Sequence, residues 1–215
     1  MKKIVVLVSG SGSNLQAIIE NCNAKYINAE IIGVISNNPD AFGLERAASA
    51  NIDSTVINNK DYTSRDHFDC ELIKVLDDLD PDLIILAGFM RILTEKLTNM
   101  YIGKIINIHP SLLPKYPGLN THQEVIKNKD RVHGVSIHYV SSKLDCGPLI
   151  AQGEIKTKKH DDINHLIERI HKVEHLIYPE IIKYICEDRI YLESNEVKFK
   201  KIITTKSIIY NKYEI

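Results

Sequence analysis

Two polar side chains that could take part in a reaction, Asn107 and His109, lie two residues apart in the segment NIHPSLLPKYPG. They alternate with apolar isoleucines, so a strand ending here would direct both of them to the same face. Pro110 then interrupts regular structure, and the prolines and glycine that follow keep the next segment irregular. An amide and an ionisable imidazole at the end of a strand, followed by a stiff loop, are candidate functional groups.

A second candidate is the turn SGSGSN, residues 9–14, which follows the first apolar run and leads into a helical pattern. Its glycines let a backbone approach a ligand closely, and the start of a helix offers free N–H groups to a phosphate. The turn is not a dinucleotide motif, because Leu15 occupies the third glycine position, and no Walker lysine follows. An ordinary strand-to-helix turn is the alternative; a mononucleotide or sugar phosphate fits better than a dinucleotide.

Two further segments also follow predicted strands, namely LAGFMRIL at 86–93 and SSKLDCGP at 141–148. Taken singly, Phe89 and Met90 are typical of a core, Arg91 of a solvated surface, and Asp145 of a turn. In open α/β sheets, however, ligands bind beyond the carboxyl ends of the strands. The convergence of these segments on one edge of a sheet therefore predicts a binding site.

The elements that must position these residues alternate along the chain. β-branched apolar runs predict strands, and patterns with helical spacing lie between them. Continuous apolar strands separated by helices predict a single doubly wound, mostly parallel sheet with helices on both faces, an α/β fold. Strands are predicted at residues 4–8, 31–35, 54–57, 83–87, 105–108 and 135–140, and helices at 14–23, 44–51, 64–79 with Ser64 as N-cap, and 122–129.

The C-terminal part departs from this alternation. A long helical pattern covers residues 161–187, and Pro179 is expected to bend it or divide it in two. Residues 190–201 predict a hairpin about 194–196, followed by a peripheral tail. We therefore expect one domain over 1–215, with a core of about 1–187 and a hairpin and tail over 188–215.

Composition limits the classes of function. The 27 basic and 28 acidic residues give a net charge of −1, which indicates neither nucleic-acid binding nor attraction to an anionic membrane. The four cysteines form no C-x-x-C pair, which favours reduced thiols over a disulfide framework or zinc site. The apolar run at the N-terminus is too short for a signal peptide, and no run approaches a membrane span. We expect a cytoplasmic protein.

The motifs together resemble those of the phosphoribosylglycinamide formyltransferases, a folate-dependent branch of the formyltransferase family in purine biosynthesis. The resemblance runs from VLVSGSGSNLQAII through LAGFMRIL and INIHPSLLPKYPGLNTH to HGVSIHYVSSKLDCGP, and it covers residues 1 to about 187. HPSLLP is typical of the whole family, and SGSGSNLQ points to the glycinamide ribonucleotide branch. The sequence departs at Asn120, where a histidine is common, and at Cys146, which replaces a frequent glycine. The resemblance implies a Rossmann-like formyltransferase fold.

The resemblance also implies that a formyl group passes from 10-formyltetrahydrofolate, the co-substrate, to the amine of glycinamide ribonucleotide. Asn107 and His109 would donate to the oxyanion, His109 would then protonate the leaving nitrogen, and Asp145 would assist through a water. Small-molecule partners are implied, with no metal, nucleic acid or membrane, and we expect a monomer or weak homodimer. The other implied residues are Gly12, Ser13, Asn14 and Glu174 for the phosphate and ribose, Arg65, Met90, Arg91, Ile92, Leu93, Val140, Ser141 and Leu144 for the folate, and His138 as support behind the catalytic group.

Alternative functions remain at this point. One is another formyl-group enzyme, either a methionyl-tRNA formyltransferase or a formyltetrahydrofolate hydrolase. The former normally carries a basic C-terminal RNA-binding domain, for which the 28 residues after Glu187 are too few. The latter normally carries an N-terminal regulatory domain, whereas the first strand is predicted to start at residue 4. Another is a non-catalytic nucleotide- or folate-binding module, which the intact Asn107, His109 and Asp145 argue against. A third is a zinc site, because HKVEH at 171–175 matches H-x-x-E-H. A short pattern of this kind occurs by chance, and a zinc site would leave the strand-end motifs unexplained.

Overall fold

The computed structural model describes residues 1–158, 161–200 and 208–210, and these form ten strands and six α-helices. A short 3₁₀ turn, Asn59–Asp61, precedes the third helix. The strands are β1 (Lys2–Val8), β2 (Ala29–Ser36), β3 (Ser54–Val56), β4 (Leu83–Leu86), β5 (Ile105–His109), β6 (Val132–Tyr139), β7 (Leu149–Lys156), β8 (Ile190–Glu193), β9 (Glu196–Phe199) and β10 (Ile208–Tyr210). The helices are α1 (Ser13–Asn23), α2 (Phe42–Ser49), α3 (Arg65–Leu79), α4 (Glu95–Met100), α5 (Thr121–Asn128) and α6 (Ile163–Cys186).

The main sheet has eight strands in the order β10-β7-β6-β5-β4-β1-β2-β3. β1 pairs in parallel with β2 and β4, and the pairs β2–β3 and β4–β5 are parallel as well. β6 is antiparallel to both of its neighbours, so among the described strands of this sheet it alone runs the other way. The predicted mostly parallel sheet is confirmed.

Helices cover both faces of the sheet, as predicted. Side chains of β1 alternate, so that Ile4, Val6 and Val8 belong to one core cluster and Val5 and Leu7 to the other. The first cluster continues into α1 and α6, and the second into α3 and α4. These five apolar side chains of β1 are fully buried, and burial of each stabilises the fold by about 1.5–3 kcal/mol.

Among the strands and α-helices, α4, β7 and β10 were not predicted, and β10 lies in the predicted tail. α4 has six residues, fewer than two turns, and so shows no helical periodicity. β7 carries Gln152, Gly153 and Glu154 in its middle, which breaks the apolar run that marks a buried strand. Gly153 is needed there, because a Cβ would lie 2.5 Å from Val173 Cγ1 of α6. Close packing of this helix on β7 is therefore a tertiary requirement that local sequence patterns do not reveal.

Of the two effects predicted for Pro179, division of the long helix is wrong, because α6 is one continuous helix with Pro179 inside it, and a bend there stays a prediction. Proline lacks the N–H that would bond to the carbonyl of His175, so one helical hydrogen bond is lost. Tyr178 and Ile182 on either side are fully buried, and the Tyr178 hydroxyl donates to the Leu86 carbonyl at 2.9 Å. Tertiary packing therefore holds the helix together across the proline.

The predicted hairpin is confirmed. β8 and β9 pair in antiparallel fashion, and Ser194 and Asn195 between them both have positive φ, as in a tight two-residue turn. The predicted tail lies mostly outside the described residues, and its described part, Ile208–Tyr210, pairs with β7 at the edge of the sheet. The single-domain division over 1–215 stays a prediction. Within the described ranges, no helix is both long enough and apolar enough to cross a membrane.

Candidate active site

A cavity of about 570 Å³ lies where β1, β4 and β5 end, within the size range of sites for small organic ligands. The turn before α1, the end of β5, the segments after β4 and β6, the loop into α5, and α6 all contribute to its lining. Arg65, exposed at the start of α3, does not line it. The predicted site residues that do are Gly12, Ser13, Asn14, Met90, Arg91, Ile92, Leu93, Asn107, His109, His138, Val140, Ser141, Leu144, Asp145 and Glu174.

The ring of His138 orients the amide of Asn107, which faces it across the β5–β6 pair. His138 Nδ1 lies 2.9 Å from the carbonyl oxygen of Tyr139, which can only accept, so Nδ1 carries a proton. In the neutral ring Nε2 is then an acceptor, and it lies 3.2 Å from Asn107 Nδ2. One amide hydrogen of Asn107 therefore points to His138, and the second is available to the cavity.

His109 has an acceptor beside each of its ring nitrogens. Nε2 lies 2.8 Å from the carbonyl oxygen of Tyr116, so Nε2 donates in that hydrogen bond. Nδ1 lies 3.5 Å from Asp145 Oδ2, which is longer than a well-formed hydrogen bond. The residue is buried, with 6% of its surface exposed, yet it lines the cavity. The ring is thus held in one orientation at the cavity wall.

Asp145 reaches His109 by a route that differs from the predicted one. Asp145 was predicted to follow a strand end that lies beside the end of β5, and this placement is wrong because β6 is antiparallel to β5. β6 ends beside the start of β5, where Val140 N–H donates to the Ile105 carbonyl. The following loop folds back, and the Gly118 N–H donates to Asp145 Oδ2 at 2.8 Å.

The carboxylate of Asp145 is surrounded by groups that favour its ionised form. Its other oxygen, Oδ1, lies 3.7 Å from His138 Nε2. Burial alone would raise the pKa of Asp145, but the His138 ring when it is protonated, the bond from the Gly118 N–H and the charge of protonated His109 outweigh burial and lower this pKa below its usual value. Asp145 therefore presents a negative charge to His109 throughout the neutral pH range.

The glycine turn after β1 forms a compact cradle. Gly12 has a φ of 67°, and a Cβ there would lie 2.7 Å from the Cα of Gly43, so a larger residue would be both strained and obstructed. Gly43 N–H donates to the Gly10 carbonyl at 3.0 Å, which ties the turn to α2. α1 begins at Ser13, and its first-turn N–H groups and positive dipole end suit an anion.

Asn14 connects this turn to α6. Its Nδ2 donates to Glu174 Oε2 at 2.9 Å, and both residues are buried. Burial raises the pKa of Glu174 to about 7, although the bond from Asn14 opposes that shift. Asn14 Oδ1 is buried and has no hydrogen-bond partner among the described residues. The two side chains can therefore both donate to and accept from a bound polar ligand.

Exposed apolar side chains mark another part of the lining, formed by the segments after β4 and β6 and the loop before α5. Met90, Leu119 and Leu144 have 68%, 75% and 46% of their surface exposed. Large apolar groups around a cavity are typical of a site for an organic ligand with apolar surface of its own. The guanidinium of Arg91 lies 4.4 Å from the ring centre of Phe68, so this charge is held at the cavity by a cation–π contact.

Two histidines of the lining were missed as site residues. His122 lies in α5 and is hydrogen-bonded to His133, with 2.9 Å between Nδ1 and Nε2. His171 was considered only as a zinc ligand. Its position three residues before Glu174 places both on one helical face, which was the signal that could have assigned it to the cavity.

This sheet, with an amide, an imidazole and a carboxylate meeting at a cavity beyond its strand ends, has the architecture of a formyltransferase. The chain belongs to that family, since the family model described as Formyl transferase matches residues 2–182. It is 45% identical to the phosphoribosylglycinamide formyltransferase of Escherichia coli K12 over 192 residues, which cover 89% of this chain and 91% of that protein.

A solved structure with the same function in its name is similarly close. The phosphoribosylglycinamide formyltransferase of Coxiella burnetii matches with a TM-score of 0.91 and 44% identity, covering 97% of this chain and 99% of that one. The chain is also 38% identical over 193 residues to the Homo sapiens trifunctional purine biosynthetic protein adenosine-3. The match covers 90% of this chain and only 19% of that longer protein.

Proposed function

We propose that the protein transfers the formyl group of 10-formyltetrahydrofolate to the primary amine of glycinamide ribonucleotide in purine biosynthesis. The observation that carries this proposal is the meeting of Asn107, His109 and Asp145 at one cavity that also contains the glycine turn at Gly12. The 45% identity to a phosphoribosylglycinamide formyltransferase over most of both chains supports the choice of acceptor.

Direct attack accounts for this reaction without a covalent enzyme intermediate. The amine nitrogen forms a bond to the formyl carbon, and the carbonyl electron pair moves to oxygen and creates an oxyanion. When this tetrahedral intermediate collapses, the bond between that carbon and N10 of the folate breaks. The amine loses a proton and N10 gains one. The protein must therefore supply a donor to the oxyanion and a carrier for the proton.

Asn107 is the proposed oxyanion donor, together with His109. The amide hydrogen that Asn107 does not direct at His138 faces the cavity, and an amide stays a donor at any pH. The loss of one donor of this kind lowers kcat by about 10²–10³. His109 and Asp145 form the proposed proton route: His109 Nδ1 lies 3.5 Å from Asp145 Oδ2, and a water held beside this pair would carry the proton from the amine to N10 of the folate.

The two substrates are assigned to the two kinds of lining. The cradle at Gly12, Ser13 and Asn14 suits the acceptor's phosphate, and Glu174 suits its ribose hydroxyls, which can both donate and accept. The apolar lining suits the pteridine of the folate, with Arg91 near its glutamate carboxylate. We assign the folate to Met90, Arg91, Ile92, Leu93, Val140, Ser141 and Leu144, and place Arg65 outside the cavity near the far end of the folate tail.

The test compares acceptors. Protein and 10-formyltetrahydrofolate are incubated with glycinamide ribonucleotide, with methionyl-tRNA or with no acceptor, and folate absorbance is followed. We expect turnover only with glycinamide ribonucleotide and a loss of about 10² or more in Asn107→Ala, with Asn23→Ala, an exposed asparagine, as control. Formate release without an acceptor would indicate a hydrolase, transfer to tRNA would indicate the other transferase, and ligand binding without turnover would indicate a binding module.

We further propose that the protein acts in the cytoplasm, as a monomer or a weak homodimer, on small molecules alone. All four cysteines are free thiols, as expected for a protein in a reducing compartment. Both proposed substrates are charged, water-soluble metabolites. Sedimentation at micromolar concentration tests the proposed oligomeric state.

A further inference from the structure

We infer that Tyr116 is a positioning residue for His109, and that it decides which ring nitrogen of His109 exchanges the proton of the reaction. The inference deepens the proposed function and rests on it, because that function makes His109 the proton carrier. It concerns a residue whose side chain lies away from the reacting groups. Tyr116 does not line the main cavity, and it lines a smaller cavity of about 240 Å³ behind the loop.

The contact between the two residues defines the protonation of the ring. The Tyr116 carbonyl oxygen lies 2.8 Å from His109 Nε2 and can only accept, so Nε2 keeps its proton. In histidines the bond at one ring nitrogen determines what the other can do. Nδ1 is then the nitrogen that gains and loses a proton, and it is the one that faces Asp145. Rotation of the ring would exchange the two nitrogens and break this arrangement.

The backbone that directs the Tyr116 carbonyl at His109 is unusual. Tyr116 has a φ of 53°, in the left-handed region that bulky residues rarely adopt. Such a conformation persists where surrounding contacts hold it, and it often marks a functional site. The neighbouring peptide is held as well, since the Ser111 hydroxyl donates to the Lys115 carbonyl at 2.6 Å.

The phenol of Tyr116 supplies the remaining anchor, on the side of the loop away from the main cavity. Its hydroxyl donates to Asp130 Oδ2 at 2.9 Å and accepts from Asn128 Nδ2 at 2.9 Å. The ammonium of Lys115 lies 3.1 Å from the same Asp130 oxygen. The side chain is thus tied to the last residue of α5 and to the turn that follows it, and its backbone carbonyl is left facing the catalytic ring.

The first test removes the hydroxyl alone. We expect Tyr116→Phe to lower kcat by about tenfold to a hundredfold, the scale found when a partner that orients a metal-bound histidine is lost. KM for both substrates should change by less than about twofold, because neither substrate touches the phenol. Tyr101→Phe is the matched control: it removes a tyrosine hydroxyl bonded to Asp77 at 2.6 Å, outside both cavities. An equal loss of kcat in the control, or an unchanged kcat in Tyr116→Phe, would overturn the inference.

Asp130 and Asn128 test the same anchor while the tyrosine is kept. Asp130→Asn retains an oxygen that accepts from the phenol and should keep most of the wild-type kcat, whereas Asp130→Ala should lower kcat as Tyr116→Phe does. Asn128 is exposed, so Asn128→Ala is a variant that folds even if Tyr116→Phe does not, and it should lower kcat by a smaller factor. Equal kcat values in Asp130→Asn and Asp130→Ala would contradict the role of the hydrogen bond.

A third measurement needs no turnover, so it separates this inference from the proposed function. Long-range ¹H–¹⁵N spectra of the histidine rings distinguish an Nε2 proton from an Nδ1 proton, and His109→Gln identifies the His109 signals. We expect a single Nε2-protonated state in the neutral wild-type ring and a mixture of tautomers in Tyr116→Phe. These spectra would support the inference even if the protein failed to transfer formyl groups. The same His109 tautomer in wild type and in Tyr116→Phe would refute it.

Discussion

At the scale of single residues, the carboxylate of Asp145 combines three contacts. Oδ2 accepts from the Gly118 N–H and faces His109, while Oδ1 faces His138. The same group therefore anchors a loop, holds a charge beside the proposed proton carrier and contacts the ring that orients Asn107. A substitution that removes the charge of Asp145 and keeps its shape separates its catalytic role from its structural role.

We expect Asp145→Asn to lower kcat by about 10² or more, because the partner of a general acid is lost. The amide oxygen can still accept from Gly118, so the loop and the melting temperature should change little. KM for either substrate should change far less than kcat, since the charge matters mainly in the transition state. Steady-state kinetics and thermal unfolding test this, with the exposed Asp40→Asn as control. A near-normal kcat would show that Asp145 is only a turn residue.

At the scale of elements, the loop after β6 depends on a glycine. A Cβ on Gly147 would lie 1.7 Å from the carbonyl oxygen of Tyr139, a backbone atom that cannot move aside cheaply. We expect Gly147→Ala to lower the free energy of unfolding by about 1–3 kcal/mol. It should lower kcat as well, because the displaced loop carries Asp145 away from His109. Gly10→Ala is the control for stability, since nothing lies within 4 Å of its added Cβ; an equal loss of stability in that variant would contradict this explanation.

The H-x-x-E-H pattern of α6 gives a second prediction at this scale. Its glutamate, Glu174, is bonded to Asn14, and the rings of His171 and His175 are stacked with 6.1 Å between their centres. Over the described part of the chain, no group of three or more potential metal ligands is close enough to hold an ion. We expect full activity after exhaustive chelation and most of the turnover in His175→Ala. Activity lost to a chelator and restored by zinc would contradict the proposed mechanism.

At the scale of the whole molecule, the free energy of unfolding depends on pH, because two buried histidines and one buried glutamate change it in opposite directions. Burial lowers the pKa of both His122 and His133, so the unfolded chain takes up protons first as the pH falls below about 6.5. Their contribution to stability is complete above that pH and is lost on acidification. Glu174 acts the other way, because burial raises its pKa from 4.5 to about 7. Its contribution is complete below 4.5 and is lost as the pH rises to about 7.

We therefore expect Glu174→Gln to become more stable relative to wild type as the pH rises from 4.5 to 7, by at most about 3 kcal/mol. Glutamine keeps an oxygen that accepts from Asn14 and never ionises. Urea unfolding of both proteins at several pH values measures the difference. Glu168→Gln, an exposed change on the same helix, should show no such trend. A difference that stays constant with pH would mean that Glu174 is not held in its protonated form.

Much of this architecture follows from local patterns in the sequence. Apolar runs predict β1, β2, β4 and β5, because a strand buried on both faces needs apolar side chains at successive positions. Ser64 caps α3 as predicted, since its hydroxyl accepts from the His67 N–H at 3.2 Å. Asn107 and His109 occur on one strand two residues apart, so their shared face is a property of the strand itself.

The tertiary structure decided the features that depend on distant partners. The direction of β6 was not predicted, because the pairing of a strand depends on its neighbours in the sheet and not on its own residues. The bond from His109 to the Tyr116 carbonyl was not predicted either, because it requires a left-handed backbone held by Asp130 and Asn128. The sequence by itself determined the amide of Asn107, the imidazole of His109 and the carboxylate of Asp145 as groups of the site, but not His122. Only the tertiary structure decided how their atoms face one another, because hydrogen bonds and pKa shifts depend on distances across the fold.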